Sequence, residues 1–303
     1  MSFNKSKAIL VILGIPLFVS LSWILGGELV KKISPFVLSS SRMLIGSAIL
    51  LLFSNVLKSQ KDWGRADRLK WWRNQMILAV TGRVIYYYLS SAALLSISAV
   101  DAVLVTSLMP VFSIFIERIF GTRFRTYLLP LCGILASLTA FCAVLSARGS
   151  LGAFSLTIGH FEIVAAIIFF TLHLSLYSRM TKEPSPVNPL MVQFTLAALL
   201  LLPADLGGYQ AFSSFTTTNW IQFTVYAVVC NLLPFVLVHY ALKLTSPLAV
   251  ASASIASPLF GIVFARIISG TEIVPSFIAF TVCSLVLTWT TIRINMKEKS
   301  SEV

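Results

Sequence analysis

Residues 90–124 read SSAALLSISAVDAVLVTSLMPVFSIFIERIFGTRF, and residues 239–272 read HYALKLTSPLAVASASIASPLFGIVFARIISGTE. Shifted by 148 positions, the two stretches carry the same landmarks. Over positions 83–119, nine of thirty-seven residues match, among them Ala93/Ala241, Leu94/Leu242, Ser98/Ser246, Pro110/Pro258, Phe112/Phe260 and Arg118/Arg266. Apolar stretches match easily by composition. A shared Pro–x–Phe–x–Ile followed by a paired arginine is harder to obtain that way. A repeat of this period decides the fold, because whatever the first copy builds the second builds again.

Outward from the repeat, the whole chain is apolar. Of its 303 residues 57% are hydrophobic and 11% charged, against about 25% charged in a soluble domain. Crossing a bilayer takes about 20 residues. Ten such runs fit, at 8–30, 35–57, 75–97, 99–120, 126–147, 160–180, 188–206, 218–241, 247–269 and 273–294. Lys5 and Lys7 before AILVILGIPLFVSLSWILGG imitate a signal peptide, but the run has bilayer length and reads as a first span. The offset lays the third run on the eighth and the fourth on the ninth. Five spans is an odd number, so the second copy enters the membrane upside down. The expected fold is an all-α polytopic membrane protein, ten transmembrane helices in a 5+5 inverted repeat. Its units are 1–148 and 149–303, an architecture found mostly in transporters.

Here the sequence resembles the drug/metabolite transporter superfamily, in its ten-helix EamA branch. The resemblance rests on SWILGGELVKKISPFVLSSSRMLIGSAILLL (22–52) and on the two stretches quoted first. Each of those two carries Ala-Leu, a run of small residues, Pro and a Gly-containing turn. The chain departs at Gly121-Thr122-Arg123, where the family usually has Gly-Glu-Arg; the second copy keeps an acid in Gly270-Thr271-Glu272. The resemblance implies a pocket near the bilayer centre lined by spans 1, 3, 4, 6, 8 and 9. It also implies export or exchange of small metabolites, often amino acids, without a bound cofactor.

The residues give their own reading of the site. Arg83 lies in the third span, roughly 12 Å from its inner end. A charge there costs a few kcal/mol and faces a cavity or a partner. No acid falls in mid-span as a mate: Glu28, Asp101, Glu162, Asp205 and Glu272 all fall near the outer surface. Arg83 reads as an anion receptor, or else as a clamp between helices. Tyr86, Tyr87 and Ser90 follow at helical spacing and extend that face. The offset maps Arg83 onto Asn231, the one strongly polar residue in the middle of the eighth span. His173 and Tyr177 share a face of the sixth span, as a substrate or proton site or as a helix contact. Trp23 offers an aromatic wall or packs against lipid. Arg42 has Glu28 as a mate and reads as structural. Pro110 and Pro258 read as kinks.

Other classes find little. Cys132, Cys142, Cys230 and Cys283 all sit in apolar runs and read as packing residues. His160, His173 and His239 form no metal or enzyme motif, so neither catalysis nor a bound metal is expected. A net charge of +12 marks cytoplasmic loops rather than nucleic-acid binding. The loop 58–75 places Trp63, Trp71 and Trp72 among six basic residues, a composition for the headgroup surface. The reading is a secondary transporter of the bacterial inner membrane, working by alternating access on small anionic or zwitterionic metabolites. Amino acids or their derivatives come first, with a coupling ion or counter-substrate. Phosphorylated or nucleotide-type metabolites would want a second cation. A multidrug exporter of lipophilic cations would want a buried carboxylate. With the N-terminus inside, seventeen Lys and Arg fall on the inner side and four outside, so both termini are expected in the cytoplasm. Reporter fusions after Gly64 and after Val303 should both read cytoplasmic; an external signal at either overturns this topology.

Overall fold

The computed structural model describes residues 2–56, 63–122, 157–181, 183 and 185–269, with single helical positions between 131 and 138 and between 282 and 290. The expected spans at 126–147 and 273–294 lie largely outside the described residues, as do Cys132, Cys142, Arg123 and Glu272. Every regular element among the described residues is helical. Helix α1 is Ser2–Leu29 and α2 is Pro35–Leu51. Ser34 caps α2 through the Val37 N–H at 3.3 Å, and Pro35 at the first helical position has no N–H to leave unpaired. Helix α3, Arg65–Ala79, runs through a π turn at Val80–Ile85 into α4, Tyr86–Ala93. Then come α5, Ala99–Thr106, and α6, Met109–Ile119.

In the second half α7 is Ile158–Met180 and α8 is Val187–Leu201. Helix α9, Thr217–Thr224, passes through another π turn, Val225–Val229, into α10, Cys230–Leu244. Helix α11, Pro247–Ala253, and α12, Ser257–Ser269, are joined by a 3-10 turn at Ser254–Ala256. Among the described residues three stretches are long and apolar enough to cross a membrane: Ile158–Met180, Val187–Asp205 and Thr217–Leu244.

The helix breaks fall where the prolines predict them, beside Pro110 and Pro258. Breaking a helix away from water frees backbone groups that must be satisfied inside the protein. Pro110 has no N–H for the Thr106 carbonyl, which accepts from Ser254 Oγ at 3.1 Å instead; at the start of α12 the Ser257 carbonyl takes an additional hydrogen bond from Ser20 Oγ at 2.8 Å. Beyond α6, Gly121 adopts φ +78°, a backbone conformation that glycine reaches without strain. That turn folds Thr122 back onto Glu117 at 2.7 Å. Buried Glu117 also receives Arg179 at 3.0 Å and Ser175 at 2.6 Å, which locks α6 to α7.

The loop expected at the headgroup surface is already helical from Arg65. Trp71 is buried and donates its indole N–H to Glu183, whereas Trp72 is 43% exposed. A carboxylate acceptor on the 181–187 connection accounts for the inward turn of one tryptophan in a run that composition treats alike. Burial pushes the Glu183 carboxyl above the usual carboxylate range.

Helices α2 and α8 cross closely at small residues. A methyl group added to Gly46 would stand 2.7 Å from Phe194 Cε2, and beside it Ser47 Oγ meets Thr195 Oγ1 at 2.5 Å. Gly46→Val should therefore cost about 1–3 kcal/mol by overpacking, seen as a lower thermal midpoint of the purified protein. Adding Phe194→Ala should return part of that loss. Equal losses with and without Phe194 would show that the two helices do not meet at this point.

Candidate substrate site

A cavity of about 60 Å³ lies between α1, α4, α7 and α10 and the broken helices. Its wall includes Trp23, Tyr86, Tyr87 and Ser90, four of the residues picked out by sequence. It also includes Arg42, which sequence reading paired with Glu28. That pairing is corrected: Glu28 bonds Lys31 at 2.9 Å near the surface, and Arg42 turns inward.

Arg42 is 3% exposed, and its guanidinium carbon stands 4.1 Å from the ring centroids of both Tyr87 and Tyr226. The negative faces of two aromatic rings thus hold the cation. Nη1 donates to the Tyr226 hydroxyl and Nη2 to Ser22 Oγ at 3.3 Å. Nε is buried and has no partner among the described residues. The result is a cation at a cavity wall with its Nε–H unpaired and no carboxylate among its hydrogen-bond partners in the described residues.

Asn231 fixes this arrangement from behind. Its Oδ1 accepts from the Tyr87 hydroxyl at 3.0 Å, and its Nδ2 donates to the Arg42 carbonyl at 2.9 Å. It does not line the cavity. Ser39 donates to the Tyr87 carbonyl at 3.1 Å and meets Ser91 at 3.2 Å, which ties α2 to α4. Tyr86 stacks on Phe170 at 4.6 Å and completes an aromatic wall.

Arg83 stands elsewhere. It is wholly buried, stacked 3.7 Å from the Phe235 ring, and absent from the cavity wall that Phe235 itself lines. The face shared by Arg83, Tyr86 and Tyr87 presupposed an unbroken α-helix. The π turn at Val80–Ile85 adds a residue to one turn and rotates what precedes it by about 100°. His173 and Tyr177 lie with Arg83, beyond Phe235, and none of the three is on the wall. Sequence reading missed Tyr226; its signal is a tyrosine in mid-span, five residues before Asn231. A second, larger hollow of about 780 Å³ lies near the ends of α3 and α7, beside Lys70, Trp71, Arg73 and Glu183.

The family model for EamA-like transporters matches the chain twice, over residues 6–146 and 157–293. A solved crystal structure superposes with a TM-score of 0.67, covering 95% of this chain and 96% of its own at 16% sequence identity; that likeness shows the fold alone. No curated protein matches the chain.

Proposed function

The chain belongs to the EamA-like transporter family, and from that premise we propose that it carries a small organic anion or zwitterion, an amino acid or a derivative of one, past Arg42 by alternating access. Arg42 supports this reading most. Its guanidinium stays charged when desolvated and offers a planar fork to a carboxylate. Arg42 lines the cavity, its Nε–H is unpaired among the described residues, and its side-chain hydrogen-bond partners there, Tyr226 and Ser22, are neutral. Tyr226, Tyr86, Tyr87 and Trp23 would flank the rest of the molecule, with Ser90 as a hydroxyl partner. Among the described residues that line the cavity, Arg42 is the one charged side chain, which suits one carboxylate better than a phosphate ester's two charges.

The moving elements in this proposal are the halves 1–148 and 149–303, related by a half-turn in the membrane plane. Contacts between residues 148 apart support it. Ser47 meets Thr195, Ser254 meets Thr106, and Gly46 lies under Phe194. In a body with a two-fold axis, a residue that touches its own equivalent lies on that axis. Three such pairs at two crossings, α2 with α8 and the breaks before α6 and α12, would define one. Alternating access then means rocking about those crossings. The charge bias already described supports cytoplasmic termini for a protein in the inner membrane, which this reading takes as its place.

Counterflow in proteoliposomes loaded with a mixed amino-acid pool tests the function and identifies the substrate. With that substrate, Arg42→Leu should weaken binding tenfold or more, at about 1.4 kcal/mol per decade. Arg42→Lys should fall between, keeping the charge and losing the fork. The substrate's methyl ester should bind wild type poorly and bind Arg42→Leu no worse than the acid. Normal binding by folded Arg42→Leu would remove Arg42 from the site.

A further inference from the structure

On the side of the cavity toward Met180 and Leu244, α3, α7, α8 and α10 converge on a polar cluster that anion binding leaves unused. His173 and His239 are both wholly buried, their rings 5.5 Å apart. His173 Nδ1 lies 3.1 Å from the Leu78 carbonyl oxygen, and His239 Nδ1 lies 2.6 Å from that of Phe235. A carbonyl oxygen only accepts. Each Nδ1 must therefore carry its ring's hydrogen, and each neutral ring presents a bare lone pair at Nε2. The two Nε2 atoms face each other at 3.4 Å with no hydrogen between them. His239 Nε2 is also the acceptor for Arg83 Nη2 at 3.4 Å.

The geometry points to His173 and His239 as a site for one proton, the coupling ion of the transporter. A hydronium ion gives its proton to the Nε2 lone pair of His173: one O–H bond breaks, leaving water, one N–H bond forms, and the new N–H donates to Nε2 of His239. Both Nδ1 hydrogens stay on their carbonyls. The pair gains one positive charge, and no other covalent bond is made or broken. That proton takes the lone pair that had held Arg83, so proton and guanidinium compete for one acceptor. The like charges also repel. Arg83 keeps the Gly82 carbonyl at 3.2 Å, Gln193 Oε1 at 3.4 Å and the face of Phe235. Because Phe235 is also cavity wall, displacing Arg83 alters the cavity. An anion there offsets the added charge, so proton and anion favour each other's binding.

The surroundings fit a proton rather than a metal. Around the pair stand Arg83 from the α3–α4 stretch, Tyr177 on α7 with its ring 4.1 Å from that of His239, and, held to Arg83, Gln193 on α8, itself donating to Gln75 at 2.9 Å; Tyr86 is kept from the pair by Phe170, on which it stacks. Lys243 on α10 acts on His239 from a distance, and Glu183 acts on Tyr177. None of the hydrogen-bond partners of the two rings is a carboxylate, and the nearest cation would repel a second metal-sized charge. Gly82 belongs to the same arrangement: a Cβ there would overlap the His173 ring, so only glycine lets the imidazole lie against the π turn.

Naming the proton as a coupling ion rests on the transport reading; the proton site itself does not. The test uses purified full-length protein in nanodiscs, labelled with 15N-histidine, titrated with acid and base alone. His160, which caps α7 with Thr157, is the internal reference. Expected is one proton shared between two Nε2 signals that shift together. Arg83→Met should move that step up by about one to three pH units by removing the competing cation. His239→Gln should abolish the shared step and leave His173 titrating alone; His173→Gln serves in reverse if that variant does not fold. Two independent steps, or no proton taken up before the fold is lost, would overturn the site. Counterflow that persists in that case leaves the transport reading standing, whereas a shared step in a protein without counterflow removes transport and keeps the site.

Discussion

Among the described residues, two guanidinium groups stand in the interior of this protein without a carboxylate on either. A charge at the centre of a membrane helix costs about 2.5–3.5 kcal/mol on insertion scales. One desolvated cation–π contact contributes about 2 kcal/mol. Arg42 has two tyrosine faces, and Arg83 has two phenylalanine faces, one at 3.7 Å and one at 5.0 Å. Two faces are the right size to offset the cost, so the cations need no ion pair. A carboxylate would hold them more tightly and would leave no charge to offer an anion. Glu117 shows the alternative: its ion pair with Arg179 at 3.0 Å fastens α6 to α7 near their ends, away from the wall of the inner cavity.

Placing aromatic faces around a cation demands irregular backbone. The π turns at Val80–Ile85 and Val225–Val229 lie beside Arg83 and Asn231, and the broken helices meet the cavity at Thr106 and Ser254. Regular helices would present the same side chains at fixed rotations. Each irregularity rotates one segment against the next, and each opens backbone groups that nearby side chains then occupy. The Leu78 carbonyl goes to His173, and the Thr106 carbonyl to Ser254. The structure thus converts helix defects into the contacts that position its polar residues.

Sequence carried the class of fold and four residues of the cavity wall. Helix period and run length found the apolar stretches, and the paired prolines marked the two breaks. Tyr86, Tyr87, Ser90 and Trp23 were legible because aromatic and hydroxyl residues in mid-span are few. Which of Arg42 and Arg83 stands on the cavity wall was not legible. A π turn leaves no mark in composition, yet it turns a side chain through about a quarter of the helix circumference. Arg42 looked structural because Glu28 is near it in the chain, but Lys31 is nearer and takes that acid. Proximity along a chain says little when Tyr226, 184 residues away, supplies the better partner.

On the reading of two rocking halves, the cations and the acceptors divide between them. Arg42 and Arg83 belong to the first, while Tyr226, Asn231, Gln193, His173 and His239 belong to the second. Every bond that joins the two sets crosses the divide: Arg42 to Tyr226, Asn231 to the Arg42 carbonyl, Arg83 to Gln193 and His239, and His173 to the Leu78 carbonyl. A hydrogen bond between neutral groups contributes about 0.5–1.5 kcal/mol net, and one to a charged group about 1.5–3. Breaking a buried ion pair costs about 3–5 kcal/mol, because each charge is left uncompensated. One ion pair does cross the divide, Glu117 to Arg179 at 3.0 Å, and it pins α6 to α7 near their ends. Around the cavity the halves meet through cations on neutral acceptors and ring faces, which can separate contact by contact about that pin, with an anion or a proton taking the place that each contact vacates.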